Sequence, residues 1–235
     1  MHDALVEIAI HAGLVGLLAL VAGRGRVRPG WLAIALALML LRDVLVTRGY
    51  GQLPPWVPDS RWNWTGKLLA AGGLLVVAWL PAFGARRCGL VLRQAAGSAP
   101  AWWVFSGLAI ALFALAAWTG GGRDDVDTIA FQWTMPGVEE ELFYRGVLLL
   151  ALQRALGGDE GRPWGGIGGA GVLSSVAFGL GHALFWRDGG LSFDALAFAL
   201  TGIPALLLVW FRVRTGSLVL PVLAHNVANG ASTLF

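Results

Sequence analysis

The chain has 235 residues, 57% of them hydrophobic and only 13% charged. Soluble domains carry about 25% charged residues, so an ordinary soluble globular protein is excluded. The formal charge of +3 comes from arginines that alternate with apolar stretches. They form no solvated basic stripe with interleaved aromatics, so nucleic acid is not an expected partner. The single cysteine, Cys88, excludes both an internal disulfide and a four-cysteine metal site. Twelve Trp and thirty-four Gly fit a polytopic membrane protein, because Trp favours the lipid–water interface and Gly lets helices approach closely.

A helix crossing a bilayer needs about 20 mostly apolar residues, or about 17 at the short end. Residues 4–22 qualify as a first span, with Glu7 and His11 near its start. That stretch has no basic leading region and no Ala-x-Ala exit, which speaks against a cleaved signal peptide. The second span is 31–47, with Arg42 and Asp43 near its end. The third, 67–85, is apolar apart from its leading Lys67. The fourth, 101–119, opens on Trp102-Trp103 and closes in a run of glycines. A fifth helix, 128–156, carries a run of three glutamates, and spans 167–186, 193–211 and 217–235 follow. The Gly/Pro-rich stretches 49–58 and 157–171 read as loops or helix starts rather than domain linkers.

Orientation follows from basic residues in the connections. The loops after spans one, three, five and seven hold Arg24, Arg26, Arg28, Arg86, Arg87, Arg93, Arg154, Arg162, Arg212 and Arg214. The opposite side holds Arg48, Arg61, Lys67, Arg123 and Arg187, together with most of the aspartates. This bias places both termini away from the cytoplasm. The expected fold is an all-α, polytopic transmembrane helical bundle of about eight helices, with a buried polar site on the late ones. Residues 1–127 supply helices one to four and 128–235 a catalytic core of helices five to eight, within one integral membrane domain.

The polar residues inside these spans carry the functional signal, because an ionisable group at bilayer depth costs at least about 2.5–3.5 kcal/mol. Three consecutive acids, Glu139, Glu140 and Glu141, precede Arg145 in the fifth span. Glu141 and Arg145 are four apart in the acid-before-base order that favours an ion pair. Glu140 is rotated about 100° from Glu141 and is free to face a different environment. Pro136-Gly137 upstream predicts a break or kink, with Glu139 beside a water-filled access. Phe178 and His182 are four apart on one helix face, as are His225 and Asn229. His2 and His11 look incidental.

Each feature also has a bland explanation. A Glu–Arg pair in a membrane helix is often only a structural bridge, a lone intramembrane histidine is more often a satisfied core residue, and an Asn commonly joins helices. The combination is different. A buried acid, two histidines and an amide on three late helices are the ingredients for general-base activation of water and oxyanion stabilisation.

Glu140-Glu141-x-x-x-Arg145, Phe178-x-x-x-His182 and His225-x-x-x-Asn229, in that order, resemble the CPBP intramembrane protease family. That family includes type II CAAX prenyl endopeptidases and lysostaphin-resistance-like, Abi-type and bacteriocin-immunity proteins. Arg145-Gly146, the run Arg214–Leu218 and Pro221 agree with it. The resemblance covers about residues 131–230, whereas spans one to four match only in being hydrophobic. It departs in the extra acid Glu139 and in Asn226 directly after the histidine.

The resemblance implies an intramembrane endopeptidase of the CAAX glutamic type in a bacterial cell inner membrane. Glu140 would be the base that activates water, with His182 holding that water. His225 and Asn229 would donate to the oxyanion, Glu141 and Arg145 would brace the site, and Phe178 would line the substrate cavity. The implied partners are membrane lipids and a hydrophobic or lipidated peptide. No cofactor is expected: there is no His-Glu-x-x-His, and Asn229 is a poor zinc ligand but a good oxyanion donor. The open alternative is a zinc protease on Glu140, His182 and His225, a set able to leave a water position. A non-catalytic immunity or scaffold protein is a second alternative. A proton-relay transporter is a third, disfavoured by the lack of an inverted repeat of broken helices.

Overall fold

A computed structural model describes residues 2–23, 25–157 and 167–235. Arg24 and Arg162, and most of the 157–171 loop, lie outside the described residues. The described chain is mostly helical. Its α-helices are α1 (His2–Ala22), α2 (Pro29–Val46), α3 (Arg48–Gly51), α4 (Trp64–Trp79), α5 (Ala99–Thr119), α6 (Val126–Gln132), α7 (Met135–Glu141), α8 (Leu149–Ala155), α9 (Gly168–Ala183), α10 (Ala195–Thr215) and α11 (Val219–Gly230). A π-helical segment, Leu142–Leu148, joins α7 to α8, and a short 3₁₀ turn, Ala231–Leu234, ends the chain. Helices α1, α2, α5 and α10 are long and apolar enough to cross a membrane, and α4 is a shorter apolar helix.

Three predicted spans take a different form, each for a local reason. The third stops at Trp79 rather than 85 because Pro81 follows Leu80, which takes an extended ψ of 142°, as residues before proline prefer. The fifth is broken into α6, α7, the π-helical segment and α8. Its first break, at Trp133 and Thr134, precedes Pro136, whose ring cannot sit over the carbonyl four residues back.

The sixth ends at Ala183. Strand β1 (Leu184–Arg187) then pairs antiparallel with β2 (Gly190–Phe193), a correction to the all-α expectation. The turn residues Asp188 and Gly189 have φ of 52° and 73°, the left-handed pair that a tight hairpin requires. The hairpin is held to α1, where Glu7 accepts from the Trp186 amide at 2.9 Å and His11 Nε2 meets the Leu184 carbonyl at 2.9 Å. His11 is therefore a structural residue.

The connections sort to two ends of the bundle. At one end Arg28 N donates to Ala155 O, the Arg154 guanidinium to Ala82 O, Arg212 Nη2 to Arg87 O and Ala95 N to Thr215 O. This gathers the arginine-bearing loops after α1, α4, α8 and α10. At the other end the segment before α4 docks on α6. Trp62 stacks on Phe131 with ring centres 5.0 Å apart, and the Arg61 and Trp62 side chains both donate to Thr128 Oγ1. Asp125 caps α6, and hydrogen bonds from the Thr128 amide and hydroxyl hold its carboxyl below the usual carboxylate range.

Helices α9 and α10 pack with Gly179 against Gly202. A Cβ on Gly179 would stand 2.9 Å from the Phe198 ring and 3.1 Å from the Gly202 Cα. The second contact is backbone and cannot rotate away. Gly179→Val is expected to destabilise the bundle by about 1–3 kcal/mol, read as a lower midpoint of thermal unfolding in detergent, with the tryptophan fluorescence as probe.

Candidate active site

Helix α7 presents its three glutamates to three different surroundings, as a turn of about 100° per residue dictates. Glu139 and Glu141 are fully buried and Glu140 nearly so. Buried charge demands pairing, since an unpaired ion in a low-dielectric interior is very unfavourable. All three acids have partners.

Glu139 faces α2 and α4. Its carboxylate accepts from Arg42 Nε at 2.7 Å and Nη2 at 3.0 Å, a two-pronged pair, and from Lys67 Nζ at 2.7 Å. Arg42 also lies 5.2 Å and 5.1 Å from the ring centres of Phe143 and Tyr144. The water-filled access expected for this residue is thus replaced by a closed ion cluster. No local relation in the sequence connects either cation to the acidic run: Arg42 lies near the end of its predicted span, and Lys67 opens another.

Glu141 faces inward. Oε1 accepts from Arg145 Nη1 at 2.7 Å and lies 2.7 Å from His225 Nδ1. A carboxylate already receiving an arginine can only accept here, so Nδ1 carries the hydrogen. Arg145 is fully buried, donates Nη2 to Ala205 O at 3.3 Å, and lies 4.6 Å from the Phe178 ring centre. It sits within the π-helical segment, a form often found at functional sites. All seven residues of that segment are buried.

Glu140 lies between these two. Oε1 accepts from Lys67 Nζ at 2.5 Å. Oε2 is buried with no hydrogen-bond partner and stands 3.7 Å from His225 Nε2. Phe178 is an aromatic hub, its ring centre 4.5 Å from that of His182, 5.7 Å from that of His225 and 5.1 Å from that of Tyr144. His182 is exposed, and its Nδ1 donates to Phe178 O at 2.8 Å, leaving Nε2 as the outward nitrogen. Asn229 is half-buried one turn beyond His225 on α11.

Helix α11 is held to α7 by Asn226, the departure from the family pattern directly after the histidine. Asn226 Oδ1 accepts from the Gly137 amide at 2.9 Å. A Cβ on Gly137 would overlap that amide oxygen and the Val222 carbonyl. Glycine at 137 is thus what allows the helix carrying His225 to lie against the helix carrying Glu140.

The fit to a metal can be judged from the donors. Glu140 Oε2, His225 Nε2 and His182 Nε2 are of the right type. Among the described residues, however, no group of three His, Cys, Asp or Glu side chains is arranged to hold an ion. The ammonium of Lys67 already lies against Glu140, with Arg42 Nη2 3.9 Å away, and a dication would meet that positive charge. The residues present do not fit zinc well.

Comparison with known families matches residues 122–231 to the Type II CAAX prenyl endopeptidase Rce1-like family. Over that segment, called the Rce1-like segment below, the chain is similar to that family. The Rce1-like segment contains Glu139, Glu140, Glu141, Arg145, Phe178, His182, His225 and Asn229, but neither Arg42 nor Lys67. The likeness supports a protease, and with four long apolar helices it supports an integral membrane protein. No curated protein and no solved structure matches the chain.

Removing Arg145 would strand the buried Glu141 carboxylate. Arg145→Ala is expected to cost about 3–5 kcal/mol, seen as loss of monodisperse protein on size exclusion and a collapsed thermal midpoint. Asn226→Leu, which leaves one buried amide without its acceptor, is expected to cost about 1–3 kcal/mol by the same thermal measurement.

Proposed function

We propose that this chain is an intramembrane endopeptidase that uses Glu140 to activate water against a peptide bond of a membrane-associated, including lipidated, substrate. The observation that carries this reading is the asymmetry of the Glu140 carboxylate. One oxygen is tied to Lys67, while the other is buried, without a hydrogen-bond partner, and 3.7 Å from His225 Nε2. A general base needs such an uncommitted acceptor within reach of a water and of the reacting carbonyl.

In this reading, water held by Glu140 Oε2 and His182 Nε2 attacks the scissile carbonyl carbon, and Glu140 takes its proton. The oxyanion forms beside His225 and Asn229. Because Nδ1–H of His225 is committed to Glu141, Nε2 donates only from the imidazolium, and the Glu141 carboxylate is the counter-ion that supports that state. The Asn229 amide is the second donor. Collapse of the tetrahedral intermediate breaks the C–N bond, and the proton on Glu140 passes to the departing amine. Hydrogen-bond donors placed where negative charge develops are worth about 10²–10³ in rate each.

The mechanism is metal-free, supported by the two cations against the Glu139–Glu140 pair. The protein is a multi-pass one of about eight crossings in a bacterial inner membrane, with the arginine-rich end cytoplasmic as the positive-inside bias favours. Residues 128–235 form its catalytic core. Membrane lipids surround it, and a hydrophobic or lipidated peptide, prenylated substrates among them, enters from the bilayer.

Glu140→Gln keeps the shape of the side chain and removes the base. Peptides released from membrane fractions are expected to differ between wild type and Glu140→Gln, with the Glu140-dependent products lost by at least about 10²-fold. Identical peptide sets would sink the protease reading in favour of a scaffold. Incubating the purified protein with a tight chelator is expected to leave release of those peptides unchanged. Chelator-sensitive, zinc-restored release would establish the zinc alternative.

A further inference from the structure

Lys67 is the only lysine among the 235 residues, and the sixteen other basic side chains are arginines. This one lysine is placed where an ammonium and a guanidinium differ most. Its side chain is 12% exposed, and its single nitrogen lies 2.7 Å from Glu139 Oε2 and 2.5 Å from Glu140 Oε1. An ammonium is a compact point charge whose three N–H groups can serve two acceptors on different residues. A guanidinium instead engages one carboxylate with a planar fork. Arg42 does the latter on Glu139. The division of labour is thus visible in the side chains: the fork fixes Glu139, and the lysine bridges from Glu139 to Glu140.

We infer that Lys67, held in place by the Arg42–Glu139 pair, is a positioning residue for Glu140, fixing the carboxylate so that Oε2 and not Oε1 is the working oxygen. This rests on the protease reading above and extends it beyond the Rce1-like segment, since Lys67 and Arg42 lie on α4 and α2. Oε1 is committed to the ammonium, and turning the carboxylate plane out of this orientation would break that bond. Oε2 therefore stays on the His225 side. Lys67 acts on the substrate only through Glu140, so its loss is expected in turnover and not in binding.

Two readouts test this. The first uses the peptide released by wild type but not by Glu140→Gln as substrate for purified protein in liposomes. Lys67→Met is expected to lower kcat about 100-fold, the order of effect of an ångström-scale misplacement of a reacting group, with KM changed less than about threefold. Lys67→Arg keeps the charge but replaces the two-acceptor bridge by a planar fork, and is expected to recover kcat only in part, to about tenfold below wild type. Lys67→Met with unchanged kcat, or with its loss confined to KM, overturns the inference.

The second readout needs neither activity nor a foldable Lys67→Met protein. Protein grown on lysine carrying ¹⁵N at Nζ gives one side-chain ammonium signal, because the chain has one lysine. That signal is expected to be slow to exchange and to move in both Glu139→Gln and Glu140→Gln. A fast-exchanging signal indifferent to Glu140→Gln overturns the bridge. If instead wild-type and Glu140→Gln membranes release the same peptides, the protease reading is what fails, and the catalytic meaning of the bridge falls with it. Glu140-dependent release that persists undiminished in Lys67→Met sinks this inference alone.

Discussion

The structure depends on one electrostatic constraint: acids buried in a membrane bundle must be neutralised by cations brought from other helices. Arg42 on α2, Lys67 on α4 and Glu139 and Glu140 on α7 satisfy it as a four-membered cluster. Replacing such a cluster by apolar residues is often neutral or stabilising, while breaking it is strongly destabilising. Stability alone therefore gives no reason to keep it. What it supplies is a fixed relative position for three helices, and with it a fixed direction for Glu140.

The same constraint explains how adjacent glutamates take on different work. Glu141, one residue on, points into the bundle and is answered by Arg145, which the π-helical segment keeps wholly buried. Glu139 is saturated by a forked arginine and a lysine. Glu140 and Glu141 each keep one oxygen without a hydrogen-bond partner, and that of Glu140 stands 3.7 Å from His225 Nε2. Helix rotation separates the three by direction, and the supply of cations then sets the saturated Glu139 apart from the other two. Phe178, in ring contact with both histidines and with Arg145, gives the two histidine-bearing helices a common wall.

What could be read from sequence was what is local along the chain. Glu141 with Arg145 is a four-residue relation, and the rotation of Glu140 away from it follows from helix geometry alone. The break near Pro136 is legible in the same way. The stop at Pro81 and the Asp188-Gly189 turn also have local signals, but the hydrophobicity of the surrounding residues outweighs them, being indifferent to whether an apolar stretch is one helix, two helices or a helix and a hairpin. The partners of Glu139 had no such signal. Arg42 and Lys67 are 97 and 72 residues away, and each sits near a predicted span end, where a basic residue needs no explanation beyond reaching for the interface. Asn226 was legible as a polar residue in a span, but its bond to Gly137 crosses 89 residues.

This division has a consequence for what constitutes the unit of function. The Rce1-like segment, residues 122–231, carries every group that the proposed mechanism sets against a substrate, yet it holds neither counter-ion of Glu139. Separated from α2 and α4, it would keep a fully buried carboxylate with both of its cations gone, a loss of the order of several kcal/mol. It would also free Glu140 Oε1, making the two oxygens of the base equivalent. The first helices are thus more than a hydrophobic sleeve around the site. They bring the charges that let the acidic helix be buried at all and that single out one oxygen of one glutamate, so the part of the chain that matches the family and the part that does not are joined by a single ion cluster.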